Sequence, residues 1–377
     1  MNVIEGGRGR RTVNLVPILI AVLLLLALLV GVAVVGSQSR QDQLSVVPPA
    51  TVAPSVAAPS VRSTPSASPA ASPLADTVIP FPDTVLEIVP GDDAMWASVA
   101  AGGSEVPRSI YRIDPNTNAA TLVLADMPVS RTSPLSPIET KGSLLLVENE
   151  ANRMLRFDAA TGRLLGETPL GRFPIEPKVG FGSVWSQDYE DGAVTRVDPS
   201  TGEVMATIPI PPFHGQGPRD LVAGSKLLWA ITPRTDVLVG IDPARNRVAK
   251  TIELDASLHC DVGVTAGRVW VAGCDSGTPL QVFDEATGER QGSFAGIPSV
   301  GAPLHADGDV VWIPSGDQVP PFSTKIIPLD AGTLTTAGRS VVDLGVMAGS
   351  TAVAHDALWY AFGDSVYRLD LDSFPAS

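Results

Sequence analysis

The sequence lacks the short signatures by which many enzymes are recognised. It contains no GxSxG nucleophile elbow, no HExxH zinc motif, no phosphate-binding GxxxxGK loop and no EF-hand loop. These absences exclude the protein classes that depend on one such local motif. They do not exclude an enzyme, because a site can be built from residues that lie far apart in the chain.

Cysteine is also scarce, with Cys260 and Cys274 as the two examples among 377 residues. They flank one predicted strand and lie across a predicted hairpin, so the spacing favours a disulfide in an oxidising compartment. A metal site that includes the adjacent His259 is the alternative. It has weak support, because the CxxC spacing typical of such sites is missing.

Positive charge is the third shortage. The chain has 26 Lys and Arg residues against 40 Asp and Glu, which gives a net charge of −14. The first 36 residues hold three arginines and one glutamate, so the remainder is more acidic still. An acidic surface repels phosphate backbones and anionic lipid, and nucleic acid is therefore not an expected partner.

Charge is absent altogether between Thr12 and Ser39. We predict a transmembrane helix at 13–36, because an aliphatic run of this length can cross a bilayer. Arg8, Arg10 and Arg11 precede it, which places residues 1–12 in the cytoplasm and the rest outside the cell membrane. A cleaved signal peptide is the alternative, although the apolar core is longer than such peptides use.

Residues 37–74 are rich in Pro, Ser and Ala and cannot bury a core. We predict a disordered, extended stalk that separates the membrane from residues 75–377. The expected arrangement is a single-pass membrane protein with an extracytoplasmic head.

The head contains seven copies of one pattern. Each copy has a short apolar strand with a central position that we call the Trp slot, occupied by Trp96, Leu145, Trp185, Trp229, Trp270, Trp312 and Trp359. Each slot is followed by a turn that begins with aspartate, and these turns recur every 40 to 46 residues: Asp114, Asp158, Asp198, Asp242, Asp284, Asp330 and Asp370. This period is typical of four-stranded propeller blades, so we predict an all-β fold, a seven-bladed β-propeller.

Local chemistry supports this interpretation. In five copies the residue four after the turn aspartate is Gly or Asn, which tolerate the left-handed backbone of a tight hairpin. We interpret the aspartates as turn residues and the tryptophans as core between blades.

The chain ends soon after the seventh turn, which leaves the last blade short of one strand. The β-prone stretch Asp76–Phe81 precedes the first blade and is otherwise unassigned. We predict that it completes the last blade at its outer edge, where Pro80 costs little.

The motif Val-Trp followed by Ile/Val-Asp-Pro-x-Thr-Gly-x-Val and a Thr-Ile-Pro strand resembles exported bacterial propellers of the YVTN type and the virginiamycin B lyase-like group. The copies at Arg196 to Ile210 and Gly240 to Leu254 carry it best. The resemblance implies a propeller fold. The Trp-Phe-Thr-Glu string of the lyases is absent, and no catalytic residue is transferred from them.

Carboxylates recur about nine residues before the Trp slot, at the predicted start of the innermost strand: Glu87, Glu139, Glu176, Asp220 and Asp261. One hypothesis is that they converge on the channel and bind Ca²⁺ or Mg²⁺. The alternative is that each pairs locally with Lys178 or Arg219. No other cofactor is indicated.

Two histidines complete the list of candidate ligand-binding residues, together with Arg219. His214 lies in a glycine-rich loop between blades, and His259 lies beside Cys260. The offsets of the four histidines from the Trp slot vary, which argues against a shared ring.

The sequence favours a binding module at the cell surface for a protein, a glycan or a small molecule. The alternatives are an exported divalent-cation-dependent lyase or hydrolase, and a structural subunit of an envelope complex. Binding to a partner predicts exposed apolar residues such as Phe213, Pro320, Pro321 and Phe322. Catalysis predicts a pocket over the channel that holds both a carboxylate and a histidine.

Overall fold

The computed structural model describes residues 73–100, 108–127, 136–211, 215–232, 235, 237–255, 259–273, 278–294, 303–316, 322–335 and 338–374. Within these ranges the chain forms seven antiparallel sheets of four strands each. The all-β, seven-bladed propeller predicted from the repeat is therefore confirmed. The predicted transmembrane helix at 13–36 and nearly all of the predicted stalk at 37–74 lie outside the described residues.

We number the blades in chain order and give their strands from the innermost to the outermost. Blade 1 is β2 (Thr84–Pro90), β3 (Met95–Ala100), β4 (Arg108–Ile113) and β5 (Ala120–Met127); blade 2 is β6 (Ile138–Thr140), β7 (Ser143–Glu148), β8 (Arg153–Asp158) and β9 (Leu164–Pro169). Blade 3 is β10 (Pro174–Gly180), β11 (Ser183–Asp188), β12 (Ala193–Val197) and β13 (Val204–Pro209); blade 4 is β14 (Asp220–Ala223), β15 (Leu228–Ile231), β16 (Val237–Asp242) and β17 (Arg247–Glu253).

The remaining blades follow the same order. Blade 5 is β18 (His259–Thr265), β19 (Arg268–Gly273), β20 (Leu280–Asp284) and β21 (Arg290–Phe294); blade 6 is β22 (His305–Asp307), β23 (Val310–Gly316), β24 (Thr324–Asp330) and β25 (Val342–Asp343). Blade 7 is β26 (Ser350–Ala354), β27 (Ala357–Phe362), β28 (Ser365–Asp370) and β1 (Thr77–Pro80), and a short 3₁₀ helix (Leu371–Ser373) follows β28.

The ring closes as predicted, because β1 pairs with β28 as the outermost strand of blade 7. Asp76 strengthens the closure by accepting hydrogen bonds from the amide of Asp370 at 2.9 Å and the hydroxyl of Ser373 at 2.8 Å. Pro80 lies on this outer strand, where its missing amide leaves the ladder to β28 intact. The first strand of the head thus joins the last blade and covers its edge.

The Trp slots supply the core between blades. All six tryptophans and Leu145 are buried, at 1% exposure or less. Each slot residue packs against apolar side chains of the following blade, as Trp185 does with Leu221 and Leu228, and Trp359 of blade 7 packs against blade 1. The interpretation of the tryptophans as core is confirmed. Their burial fixes each blade against its neighbour.

Six of the seven turn aspartates have the predicted structural role, whereas Asp370 precedes the 3₁₀ helix and pairs with Arg368. Asp198 accepts hydrogen bonds from the amides of Ser200 and Thr201, and Gly202 follows with φ of +80°. Asp114, Asp158, Asp242, Asp284 and Asp330 make equivalent bonds. In the sixth turn the left-handed position is held by Leu334, which the sequence pattern did not indicate.

Candidate functional site

The innermost strands enclose a central cavity of about 660 Å³. Its lining comes from blades 1, 2, 3, 6 and 7, chiefly from residues on or next to β2, β6, β10, β22 and β26. A cavity of this size is in the range that holds small-molecule ligands. The side chains that these strands place around the cavity therefore form the candidate site.

Strand pairing sets a common register around the ring. In every blade the residue that pairs with the Trp slot lies seven positions before it: Val89, Ile138, Lys178, Val222, Gly263, His305 and Ala352. Lys178 and His305 therefore occupy equivalent positions in blades 3 and 6. In the sequence, Lys178 and His305 each lie seven residues before a Trp slot. The four histidines have different offsets, so this equivalence was not recognised.

The position nine before the slot forms a second set, which we call the inner ring: Glu87, Ser136, Glu176, Asp220, Asp261, Pro303 and Ser350. In blade 2 this position belongs to Ser136 and not to Glu139, which corrects the grouping made from the sequence. The hydroxyl of Ser136 donates to the Glu87 carboxylate at 2.9 Å. Likewise the hydroxyl of Ser350 accepts from the Ile88 amide at 3.2 Å. Inner-ring side chains thus link neighbouring blades.

The innermost strands of blades 1, 3 and 5 are irregular at or beside the inner ring. The pairing register shifts between Val85 and Glu87 and between His259 and Asp261. A third shift lies between Ile175 and Lys178, where Glu176 adopts φ of +34°. Bulges redirect side chains and are common next to functional sites. Three of the four inner-ring carboxylates are placed by such irregularities.

Lys178 lies among the inner-ring carboxylates. Its ammonium is 3.0 Å from Oδ1 of Asp220 and 3.8 Å from Oε2 of Glu176, and Asp261 is close enough to stabilise its charge. Burial acts to lower the pKa of Lys178, but the carboxylates outweigh it and the net pKa is raised. Lys178 is therefore a fixed cation, as the pairing alternative from the sequence expected.

Asp220 is closely held in the inner ring, with 6% of its side chain exposed. Its carboxylate accepts hydrogen bonds from the amides of Leu221 and Val262, each at 2.9 Å, in addition to the contact with Lys178. Asp220 thereby connects blades 3, 4 and 5. Its three contacts indicate a structural role in this ring.

Glu87 is an inner-ring carboxylate whose protonation is altered by its surroundings. Burial raises its pKa to about 7, the hydrogen bond from Ser136 opposes that shift, and the negative charge of Glu176 adds to it. The charges of Lys178 and Arg108 act in the lowering direction. Glu87 is thus a carboxyl group that exchanges its proton near neutral pH inside the cavity.

Glu176 faces the cavity from β10, and 47% of its side chain is exposed there. Desolvation in the channel raises its pKa, with a further contribution from Asp220, while Lys178 and Arg219 oppose the shift. Its carboxylate lies 3.8 Å from the Lys178 ammonium. Much of this carboxylate remains open to a ligand.

His305 contributes a neutral imidazole from blade 6. Its Nε2 lies 3.0 Å from the hydroxyl of Thr351 in blade 7. Burial and the charge of Lys178 lower its pKa to about 3, so the ring carries no charge at physiological pH. The cavity therefore holds carboxylates together with a histidine, the combination that the enzymatic alternative required.

Glu139 lines the same cavity but makes a different contact. Its carboxylate accepts a hydrogen bond from Nε1 of Trp96 at 2.9 Å, which joins blades 1 and 2. Burial raises its pKa, with contributions from the nearby Asp92 and Asp93. Glu139 thus belongs to the cavity without belonging to the inner ring.

The geometry of the described residues does not support the predicted metal site. Within the described ranges, no three His, Cys, Asp or Glu side chains are arranged to hold a metal ion. The position between Asp220 and Glu176 is occupied by the Lys178 ammonium. Binding of Ca²⁺ or Mg²⁺ by the five carboxylates stays a prediction.

The other predicted site residues are dispersed. His259 is buried at the start of β18, and Arg219 is exposed just before β14. Neither is among the described residues that line the cavity. His214 lies outside the described residues, as does Cys274. Cys260 is buried on β18, and its disulfide with Cys274 stays a prediction.

Comparison with known proteins identifies the fold and no more. No family model matches the sequence, and no curated protein matches it. A chain of the mitotic checkpoint complex superposes with a TM-score of 0.60 at 13% identity, covering 86% of this chain and 100% of that one. Virginiamycin B lyase from Staphylococcus aureus superposes with a TM-score of 0.58 at 16% identity, covering 78% of this chain and 98% of that one.

A computationally designed protein, Ika8, superposes with a TM-score of 0.54 at 10% identity, covering 77% of this chain and 98% of that one. At such identities the likeness shows the β-propeller architecture alone. The fold and cavity together define the class as a seven-bladed β-propeller suited to an interaction module.

Proposed function

We propose that this protein is a binding module whose ligand is a small molecule held in the central cavity. The observation that carries the proposal is the cavity of about 660 Å³, to which five blades contribute both apolar and ionisable side chains. Small-ligand sites combine an apolar lining with a few fixed polar groups in this way. The inner-ring hydrogen bonds and the Lys178–Asp220 pair hold those groups in place before a ligand arrives.

A macromolecular partner bound across the loops has less support. Phe322 is 54% exposed, in agreement with that alternative. The companion residues Phe213, Pro320 and Pro321 lie outside the described residues. The cavity is defined entirely by described residues and therefore supplies the stronger argument.

A fragment screen tests the proposal. A chemically diverse fragment set is screened by ligand-observed NMR against the purified full-length chain in detergent, and again against Val179→Trp. Val179 lines the cavity and is 40% exposed, so a tryptophan there fills the channel with little disturbance of the core. We expect hits that bind the wild type and are lost in Val179→Trp. Hits that persist in the variant, or a screen without hits, would reject the cavity as the ligand site.

We further propose that the head lies outside the cell membrane, tethered by a helix at 13–36 and a stalk at 37–74. The support is the uncharged aliphatic run and the arginines before it. Within the described part of the chain, no helix is long and apolar enough to cross a membrane. Protease added to intact bacterial spheroplasts that express the chain should digest the head, and protection of the head would contradict the proposed topology.

Proton-transfer catalysis is a second candidate function. The specific observation in its favour is that Glu87, with a pKa of about 7, shares the cavity with Glu176 and His305. A group that titrates near neutral pH is suited to act as a general base or acid. The likeness in fold to virginiamycin B lyase suggests a lyase and names streptogramins as the first compounds to test.

The test is incubation of the full-length chain with virginiamycin B and Mg²⁺, followed by chromatography. Turnover that disappears in Glu87→Gln and persists in Glu203→Gln would support a catalytic cavity, because Glu203 is exposed and distant from it. Unchanged antibiotic would reject this substrate and leave ligand binding as the function.

A further inference from the structure

The charges that line the cavity are unequal in number. Four carboxylate side chains contribute to its wall: Glu87, Asp92, Glu139 and Glu176. Lys178 is the one Lys or Arg among the described residues that line it. Because a low-dielectric channel focuses the field of its lining charges, this imbalance favours a positively charged ligand.

Lys178 is also unsuited to receive an anion. Its ammonium contacts Asp220 at 3.0 Å and Glu176 at 3.8 Å, so its charge is already compensated inside the protein. The other nitrogen-bearing side chain of the wall, His305, is neutral at physiological pH. Among the described residues that line the cavity, no other cation would meet a ligand carboxylate or phosphate, and the like charges of Glu87 and Glu176 would repel it.

The wall between the charged groups is apolar. Ile88, Val89, Ile138, Val179 and Leu304 line the same cavity as the carboxylates. A bare metal ion gains nothing from such surface, and the described residues form no metal-ligating cluster. An organic cation with an apolar body satisfies both parts of the wall, since its charged end can pair with carboxylates while its body leaves water.

We propose that the central cavity selects an organic ammonium or guanidinium ligand with an apolar body, held between the carboxylates of Glu87 on β2 and Glu176 on β10. This inference rests on the proposed ligand-binding function and specifies the chemical class of the ligand. Glu87 and Glu176 come from blades 1 and 3, and each is left with unsatisfied acceptor capacity in the cavity. The ligand cation replaces the repulsion between them with two charge-assisted contacts.

The binding is coupled to protons. Glu87 is partly protonated near pH 7, where Glu176, Lys178, Arg108 and the Ser136 hydroxyl are the groups that act on it. A ligand cation beside it favours the ionised carboxylate, so binding near pH 7 releases a proton. The affinity for a cation therefore rises as the pH increases from 5.5 to 8, while the affinity for a neutral analogue does not.

Three probes of similar shape and different charge test whether the cavity prefers a cation: 4-phenylbutylammonium, 4-phenylbutanol and 4-phenylbutyrate. They are titrated calorimetrically into the purified full-length chain at pH 7, in two buffers with different ionisation enthalpies. We expect the ammonium to bind at least about tenfold more tightly than the alcohol, the carboxylate to bind most weakly, and the buffers to reveal proton release.

Variants assign the effect to the two carboxylates. In Glu87→Gln and Glu176→Gln the preference for the ammonium over the alcohol should fall by roughly three- to tenfold, with the affinity for the alcohol unchanged. The Gln side chain retains an oxygen that accepts from Ser136, so Glu87→Gln keeps its fold, which its melting curve verifies. Glu203→Gln is the matched control, because its carboxylate is exposed on a turn.

Each other outcome is informative. Equal affinity for the three probes, lost in Val179→Trp, would overturn the cation class and retain the cavity as a ligand site. Preference for 4-phenylbutyrate would overturn it too. If none of the probes binds, the cation class is rejected, and the fragment screen alone decides the proposed function. Stoichiometric binding of Ca²⁺ or Mg²⁺ that excludes the ammonium would replace the organic cation with a metal.

Discussion

Two sets of carboxylates in this propeller experience opposite environments. In the first six outer hairpins, hydrogen bonds from amides, hydroxyls or a guanidinium lower the pKa of the turn aspartate, as the amides of Ser200 and Thr201 do for Asp198. In the inner ring, desolvation raises the pKa of Glu87 and Glu176. The outer carboxylates are satisfied within three residues of themselves, whereas Glu87 and Asp220 of the inner ring also accept hydrogen bonds from other blades. The first set therefore serves the fold, whereas Glu87 and Glu176 of the second set line the cavity.

The largest effect should come from Asp220→Ala, which removes the inner-ring carboxylate that does serve the fold. The change leaves the Lys178 ammonium without its closest partner and the Val262 amide without its acceptor. Breaking a buried ion pair by removing one partner costs about 3–5 kcal/mol. Urea unfolding of the purified chain measures this loss. A loss no greater than that of Asp198→Ala would show that Lys178 is adequately stabilised by Glu176 and Asp261.

The second effect concerns the pH dependence of stability at Glu87. Its pKa is raised to about 7 in the folded state from an ordinary value of 4.5. The folded state then binds more protons than the unfolded state between these values, so the free energy of unfolding should fall as the pH rises from 4.5 to 7 and remain level above. With allowance for solvent in the channel, the fall should be about 2 kcal/mol.

Glu87→Gln should reduce this slope by the contribution of Glu87, because glutamine does not titrate, while Glu176 and Glu139 keep their own raised pKa values. Unfolding midpoints at intervals between pH 4.5 and 8 measure it for both proteins. Glu203→Gln is the control and should keep the wild-type slope. Parallel curves for the wild type and Glu87→Gln would show that Glu87 has an ordinary pKa.

The smallest effect should come from Asp198→Ala in the outer set. The turn loses two hydrogen bonds to a solvent-exposed side chain, but the Gly202 amide still bonds the Asp198 carbonyl at 2.8 Å. Because the folded-state pKa is lowered, the contribution of Asp198 is present above about pH 4 and is lost as the pH falls through the folded-state value. Wild type and variant should therefore differ at pH 7 and converge in acid. A difference that persists at low pH would contradict the turn interpretation.

Most of the fold was predictable because its determinants are short-range. The Asp-to-Gly or Asp-to-Asn spacing encodes one hairpin at a time, and the Trp slot encodes one buried strand. Leu334 shows the limit of such patterns, since it adopts φ of +61° where five other turns use Gly or Asn. Its side chain packs against the cluster around Trp270, so tertiary contacts offset the strain.

The site was predictable in part. The inner-ring offset found Glu87, Glu176, Asp220 and Asp261, because a residue at a constant offset in a repeat occupies a constant place in the ring. The same reasoning grouped Glu139 with the inner ring, where Ser136 lies instead. It also did not recognise that His305 occupies the position in blade 6 that Lys178 occupies in blade 3. Bulges in β2, β10 and β18 alter the local spacing, and no sequence pattern specifies a bulge reliably.

The sequence by itself determined the number of blades, the turn chemistry and the tryptophan core, because each depends on a pattern that recurs every 40 to 46 residues. It also indicated the closing strand before Phe81, because the repeats left the last blade one strand short. Only the tertiary structure decided which charges meet. Lys178 joins Asp220 across 42 residues, and His305 meets Thr351 across 46, once the ring brings successive blades together. Burial in the channel then raises the pKa of Glu87. Burial and charge proximity are properties of the assembled ring, and the order of residues in one blade does not contain them.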